Sequence, residues 1–473
     1  MRFSWSVSRN NLPATDIPRT AGRDFLKTFS EATMYSRRVN LAGFNRALCR
    51  LALLALAATS PALLLAQNGA PAQEPFYLHD GDTVVFYGDS ITEQRFYTHW
   101  IELYTATRFP HMQIQFYNAG NGGDRVTGGS AGPIDLRLSR DVFAQKPTVV
   151  TIMLGMNDGS YRPLDKTIES KYTDGYEHIL SSIQKSLPSA RITLLGPSPY
   201  DEVTRPPVIS GYNSTMTRFA EIDSELAAKN NAKYIDLNAP FVGALKRGIA
   251  INPLATQLLL PDRIHPEQPA HWFMAEAILK GWNAPAIVSS TTIDAVKTAI
   301  VDAKNTQITG LSGDQGSLTW TQLDGALPLP MDVNNVADHF IREITDIEQD
   351  LDQQPLKVIG LKPATYQVNI DSAVIGTFTD AQLAKGINLA NYGTPMRGQA
   401  YSVRWLVRDR EEAHYVRMRM FVTELKTGSP AEPGATDITK FEQALQAQIY
   451  EAAQPRPHIF KIKQVANPIQ VTQ

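Results

Sequence analysis

From Phe76 to about Trp282 the chain alternates short apolar runs with polar loops and longer mixed stretches, and this restricts how it can fold. The strands predicted are Thr83–Tyr87, Gln113–Tyr117, Thr148–Leu154, Ile192–Leu195 and Tyr234–Leu237. Each is followed by a loop rich in Gly, Pro, Asn or Asp, and then mostly by a helical stretch such as Tyr172–Leu187 or Tyr212–Asn230. Strands joined through helices argue a parallel sheet covered on both faces. A helix predicted over Ala270–Trp282 carries Met274, Ile278 and Trp282 at four-residue spacing, an apolar stripe.

At 473 residues the chain exceeds one ordinary core, so two folded units plus a tail are expected. Its 43% hydrophobic and 19% charged content excludes wholesale disorder and a multi-span membrane protein. Residues 51–65 read LALLALAATSPALLL. Arg37, Arg38, Arg46 and Arg50 precede them, and Ala66-Gln67 or Ala70-Pro71-Ala72 offers a cleavage site. This is a secretory signal pattern, too short for a comfortable membrane span. Export to the periplasm or beyond the cell is therefore expected, with residues 1–72 an N-terminal extension and signal peptide, and Met34 an alternative start. The only cysteine, Cys49, precedes the apolar stretch, so the exported part has no disulfide, cysteine nucleophile or thiolate metal site. Residues 1–66 hold nine Lys/Arg against three Asp/Glu, so the net charge of −2 becomes −8 for residues 67–473. So acidic a protein is a poor ligand for nucleic acid or anionic lipid. No membrane insertion is expected after cleavage.

The first folded domain is placed at 73–285, and a C-terminal α+β extension at 286–473. In the extension Val288–Lys304 reads as helical, and Leu356–Leu361, Tyr366–Ile370 and Val374–Phe378 as a small antiparallel meander turning at Asp371-Ser372. Ala381–Lys385 is a short helix ended by Gly386, and Tyr401–Leu425 a long charged one. Thr436 is read as capping a last helix, with Ile438, Phe441, Leu445 and Ile449 on one face. This half holds no evident chemical constellation and is expected to support or cover the first domain.

Chemistry concentrates in the loops after the first three strands. They are Gly88-Asp89-Ser90-Ile91-Thr92, Asn118-Ala119-Gly120-Asn121-Gly122-Gly123-Asp124 and Gly155-Met156-Asn157-Asp158. In a flavodoxin-like three-layer α/β/α sandwich, with a five-stranded parallel sheet of order 2-1-3-4-5, strand one lies between strands two and three. The three loops then meet beyond the carboxyl ends of the strands, where such folds bind ligands. Ser90 is a weak nucleophile needing a base, itself oriented by a carboxylate. Pro261-Asp262-Arg263-Ile264-His265-Pro266 offers both, three residues apart. The backbone N–H groups of Ser90 and Gly123 and the amide of Asn157 would receive a developing oxyanion.

Together, in this order over about 75–285, these four segments resemble the four sequence blocks of the SGNH, or GDSL, hydrolase superfamily. The resemblance implies Ser90 as nucleophile, His265 as base, Asp262 as its partner, and Gly123 and Asn157 as oxyanion donors. Gly120 and Gly122 compete with Gly123, which is preferred because it stands directly before Asp124. The continuation Ile91-Thr92-Glu93 is similar to secreted members resembling carbohydrate esterases, and the C-terminal half resembles an extension found on some bacterial members. The implied activity is cofactor-free hydrolysis of carboxylic esters through an acyl-enzyme, with acetyl removed from a carbohydrate. The alternatives are a lipolytic esterase or lysophospholipase on the same triad, and a non-catalytic carbohydrate-binding protein. Arg125, Tyr161 and Arg162 follow the catalytic loops and either line a polar substrate pocket or anchor the loops.

Two rivals need weighing. His271 falls inside a predicted helix and lacks an Asp three residues before it. Gly128-Gly129-Ser130-Ala131-Gly132 satisfies the Gly-x-Ser-x-Gly elbow, but that turn needs a strand immediately before and a helix immediately after. No His-Glu-x-x-His occurs, so no metal site is expected.

Overall fold

The computed structural model describes residues 75–331, 335–423 and 432–466. All of them belong to one compact unit. The N-terminal extension and signal segment expected over 1–72 lie outside the described residues.

Five parallel strands form the central sheet: β1 (Thr83–Gly88), β2 (Gln115–Gly120), β3 (Val149–Met153), β4 (Arg191–Leu195) and β5 (Lys233–Ile235). Their order is β2-β1-β3-β4-β5, the 2-1-3-4-5 arrangement predicted. Val84 to Tyr87 and Val149 to Ile152 have no exposed surface, as the inner strands of a sheet covered on both faces require. Helices α2 (Phe96–Arg108) and α6 (His271–Gly281) pack together on one face, and α3 (Lys166–Ser186) and α4 (Tyr212–Lys229) on the other. Trp100 and Trp272 stack at 4.3 Å in the first layer, Tyr172 and Phe219 at 3.8 Å in the second. Between the last two strands and α6 runs α5 (Asn238–Ile251). Among the described residues no helix is long and apolar enough to cross a membrane.

Beyond Pro285 the sequence reading needs correction. Val288–Lys304 is not a helix but two strands, β6 (Ser290–Asp294) and β7 (Ala299–Lys304). Thr291, Thr292 and Ile293 are β-branched and favour extended backbone. The Asp294 carboxylate then accepts from the N–H groups of Val296 and Lys297, and Thr298 turns the chain back at φ 49°. Strands β8 (Thr306–Asp314) and β9 (Ser317–Asp324) follow. Of the meander, only β11 (Thr365–Ile370) and β12 (Ala373–Thr379) pair as read; β10 (Pro355–Ile359) instead runs parallel to β6. One mixed sheet has order β13-β10-β6-β7, where β13 is Ile387–Asn388. The other is antiparallel with order β8-β9-β14-β11-β12, where β14 is His458–Val465.

The long helix predicted from Tyr401 begins earlier. Thr394 caps it by accepting from the Arg397 N–H at 3.2 Å, and Pro395 supplies its first residue. It runs as α7 (Pro395–Val416) and widens into π-helical turns over Arg417–Thr423. The last helix, α8, covers Glu432–Ala453, so Thr436 lies within it rather than capping it. Leu445 and Ile449 are buried there, but Phe441 is exposed.

α7 and α8 lie along β2, the edge strand of the parallel sheet. Tyr450 Oη donates to the carbonyl of Ile114, Arg410 to that of Phe116, and His414 Nε2 lies 3.1 Å from that of Asn118. Side chains thus satisfy every second carbonyl along an edge that would otherwise present free acceptors. Beneath them Arg410 forms a bidentate pair with Glu102 of α2, with 6% and 2% of the side chains exposed.

Candidate active site

Strand β1 ends at Gly88, where a Cβ would collide with the Thr92 side chain and lie 2.8 Å from the Met153 carbonyl oxygen. Only glycine permits so tight a passage. The chain then turns into α1 (Ser90–Glu93), with Asp89 as its cap: Asp89 Oδ1 accepts from the Ile91 N–H at 3.0 Å. Burial raises the Asp89 carboxyl to about 7, opposed by the Ile91 bond and reinforced by nearby Asp158 and Asp124.

Ser90 Oγ lies 2.8 Å from His265 Nε2, and His265 Nδ1 lies 2.6 Å from Asp262 Oδ2. A carboxylate only accepts, so Nδ1 carries the ring proton and Nε2 offers its lone pair to the serine O–H. The other oxygen of Asp262 accepts from the N–H groups of Ile264 (2.9 Å) and His265 (2.8 Å), which sets the three-residue turn. Burial would raise the Asp262 carboxyl, but its bonds with the ring and amide of His265 and the amide of Ile264 hold it below the ordinary value. Side-chain exposures of 36% for His265 and 51% for Asp262 leave the pair open to solvent.

Arg263, between them, is a residue that sequence reasoning missed. Its backbone adopts φ 73°, and its buried guanidinium donates to the carbonyls of Asp201, Arg205 and Pro206. It pins the turn to a neighbouring loop. No spacing rule signals this, because all three partners are backbone carbonyls.

The loop after β2 separates its three glycine amides. Gly120 N–H donates to Asn118 Oδ1 at 3.0 Å and Gly122 N–H to Glu93 Oε2 at 2.7 Å. Gly123 N–H has no partner among the described residues, at φ 79° with open space around its Cβ position. The loop is held from below by buried Asp124, which accepts from Arg137 Nε at 2.6 Å and from Asn121 at 3.2 Å.

Asn157 Nδ2 donates to the carbonyl of Asp124 at 3.1 Å and, at the long distance of 3.5 Å, to Asp89 Oδ2. Tyr161 Oη donates to Asn157 Oδ1 at 3.3 Å, which fixes which end of the amide faces the loop. Burial, with the charges of Asp89 and Asp262, raises the Tyr161 phenol to about 12, so it stays a donor at ordinary pH. Arg125 is partly buried, its charge acting on Asp158, Tyr161 and Tyr212. Arg162 turns to Asp165, the cap of α3, at 2.9 Å.

The rivals sit elsewhere in the network. Fully buried His271 bonds through Nε2 to Gln94 (3.2 Å) and the Pro266 carbonyl (3.1 Å), and burial lowers it to about 3. It is a neutral packing residue. Ser130 lies between the two-residue strands Gly128–Gly129 and Gly132–Pro133, with no helix immediately after it, and its hydroxyl meets Asn121 and the Gly122 carbonyl. Among the described residues no cluster of three or more His, Cys, Asp or Glu side chains could hold a metal.

Residues 86–272 match the model of the GDSL-like Lipase/Acylhydrolase family. An acetylxylan esterase of Geobacillus stearothermophilus is 28% identical over 220 residues, 42% of this chain and 93% of that protein. The solved structure of a gut microbial diltiazem-metabolizing enzyme is similar with a TM-score of 0.71 at 27% identity, covering 83% of this chain and 99% of that one. That likeness extends past the family segment into the C-terminal region. The chain thus carries a GDSL-like lipase/acylhydrolase domain and is a carboxylic ester hydrolase.

Proposed function

We propose that the protein is an exported serine esterase that removes acetyl groups from a carbohydrate through an acyl-enzyme. The observation that carries this reading is the hydrogen-bonded line Ser90–His265–Asp262, open to solvent. Ser90 Oγ adds to the ester carbonyl while its proton passes to His265 Nε2, and Asp262 stabilises the imidazolium. The oxyanion receives the N–H groups of Ser90 and Gly123 and the hydrogen of Asn157 Nδ2 that otherwise makes the long 3.5 Å contact with Asp89 Oδ2. The carbon–alkoxide bond breaks as His265 returns the proton to the leaving alcohol. Water then attacks the acyl-serine, giving its proton to His265, and collapse releases the acid and Ser90. No cofactor is needed.

The substrate class rests on the likeness to the acetylxylan esterase, and export on the basic-then-apolar pattern of residues 37–65. A series of p-nitrophenyl esters, run beside acetylated xylan and pectin, tests the substrate. Turnover of acetyl esters and release of acetate support it. Inert acetyl substrates with active long-chain esters would favour a lipolytic enzyme instead. N-terminal sequencing of secreted protein tests export; a mature start within residues 66–73 is expected.

A further inference from the structure

The Gly122-Gly123 loop is tied to the C-terminal extension through a single carboxylate. Glu93 stands three residues after Ser90 on α1, and its Oε2 accepts from the Gly122 N–H at 2.7 Å. Its Oε1 faces Arg419 Nε at 3.3 Å and Tyr415 Oη at 3.5 Å. Arg419 reaches the same loop a second time, donating through Nη1 to Asn121 Oδ1. Asn121 in turn bonds to Asp124 and to the Gly122 carbonyl. Tyr415 and Arg419 are four residues apart where α7 widens into its π-helical turns, so one stretch of the extension presents both to the loop.

Gly123 has nothing of its own to hold it, with no side chain and no atom within 4 Å of its Cβ position. The direction of its N–H is set by the residues before and after it. Asp124 is fixed by Arg137; Asn121 and Gly122 are fixed by Arg419 and Glu93. We propose that Arg419 is a positioning residue for ester hydrolysis: acting through Glu93 and Asn121, it holds the Gly122-Gly123 loop where the Gly123 amide meets the oxyanion. This rests on the assignment of Ser90 and Gly123 made above. The extension then contributes to the rate without touching substrate. Without the guanidinium the Glu93 carboxylate, 17% exposed, is held by the Gly122 amide and Tyr415 alone, and Asn121 Oδ1 loses its donor. Misplacement of a catalytic group by about 1 Å can cost on the order of a hundredfold, and partial loosening costs less.

The test uses the full chain with p-nitrophenyl acetate, reading kcat, KM, melting temperature and inhibition by phenylboronic acid, which forms a tetrahedral adduct on a reactive serine. Arg419→Ala should lower kcat about tenfold with KM nearly unchanged, and weaken boronate inhibition by a similar factor. Arg419→Lys, keeping the charge beside Glu93, should recover much of the loss. The double variant Arg419→Ala with Glu93→Ala should lose less than the product of the two single losses, because both act on one loop. Should Arg419→Ala not fold, Arg419→Gln preserves length without charge and carries the same expectations. A kcat within twofold of the parent, a drop in melting temperature alone, or losses that multiply in the double variant would each overturn the proposal. Ser90→Ala separates the two levels: if it retains turnover, the assignment of Ser90 fails, whereas a dead Ser90→Ala with a fully active Arg419→Ala removes only the role of Arg419.

Discussion

Ser90 Oγ and His265 Nε2 are 2.8 Å apart across 175 residues of chain. Sheet order produces this meeting. With β1 between β2 and β3, the loops carrying Ser90, Gly123 and Asn157 share one end of the sheet, and the turn before α6 brings Asp262 and His265 to it. The imidazole is then oriented by three hydrogen bonds to Asp262, of which only one involves the ring.

That division makes Asp262→Asn informative. The asparagine oxygen can still accept from the backbone N–H groups and keep the turn, but it cannot enforce the tautomer that frees Nε2. A fall in kcat of up to about ten-thousandfold is expected at nearly unchanged melting temperature. Steady-state kinetics and calorimetry on the same preparation check this.

Tyr161→Phe should lower kcat about five- to tenfold, the equivalent of one hydrogen bond of about 1 kcal/mol. The ring keeps its stacking on Tyr212 at 5.1 Å, while Asn157 loses the donor that orients its amide. A change in KM alone would instead make Tyr161 a substrate contact.

Asp89 gives stability a pH signature. Its carboxyl is raised to about 7 from an ordinary 3.8, so the native state holds a proton that the unfolded chain has lost. Stability from this group is present at low pH and drains away as pH climbs from about 4 to about 7. Asp89→Asn removes that dependence. Denaturation midpoints from pH 5 to 8 should show the parent losing ground to Asp89→Asn as pH rises; parallel curves would contradict it.

The Arg410–Glu102 pair predicts how firmly the extension is bound. Arg410→Met leaves a buried carboxylate unpaired and frees the Phe116 carbonyl, so a loss of about 3–5 kcal/mol is expected. Adding Glu102→Leu should restore part of it. Urea denaturation of the two variants provides the comparison.

Much of this was legible in the sequence because the signals were local. The apolar runs of β1 and β3 mark strands buried on both faces, and Asp262 and His265 stand at a spacing that one turn closes. Strand β9 escaped notice for a physical reason. Its inward residues are Leu318, Trp320, Gln322 and Asp324, and the two polar ones hide the apolar alternation. They are satisfied by each other and by Thr291, Trp320 and Gln354, partners no local pattern announces. Glu93 and Arg419 were missed likewise, since the side chains that hold Glu93 lie more than 300 positions away, Tyr415 at 322.

The central claim is tested most directly by treating the protein with a fluorophosphonate and mapping the adduct by peptide mass spectrometry. One equivalent on the peptide containing Ser90 is expected, with labelling abolished in Ser90→Ala and strongly slowed in His265→Ala. An adduct on Ser130, or ester turnover that survives in Ser90→Ala, would contradict it.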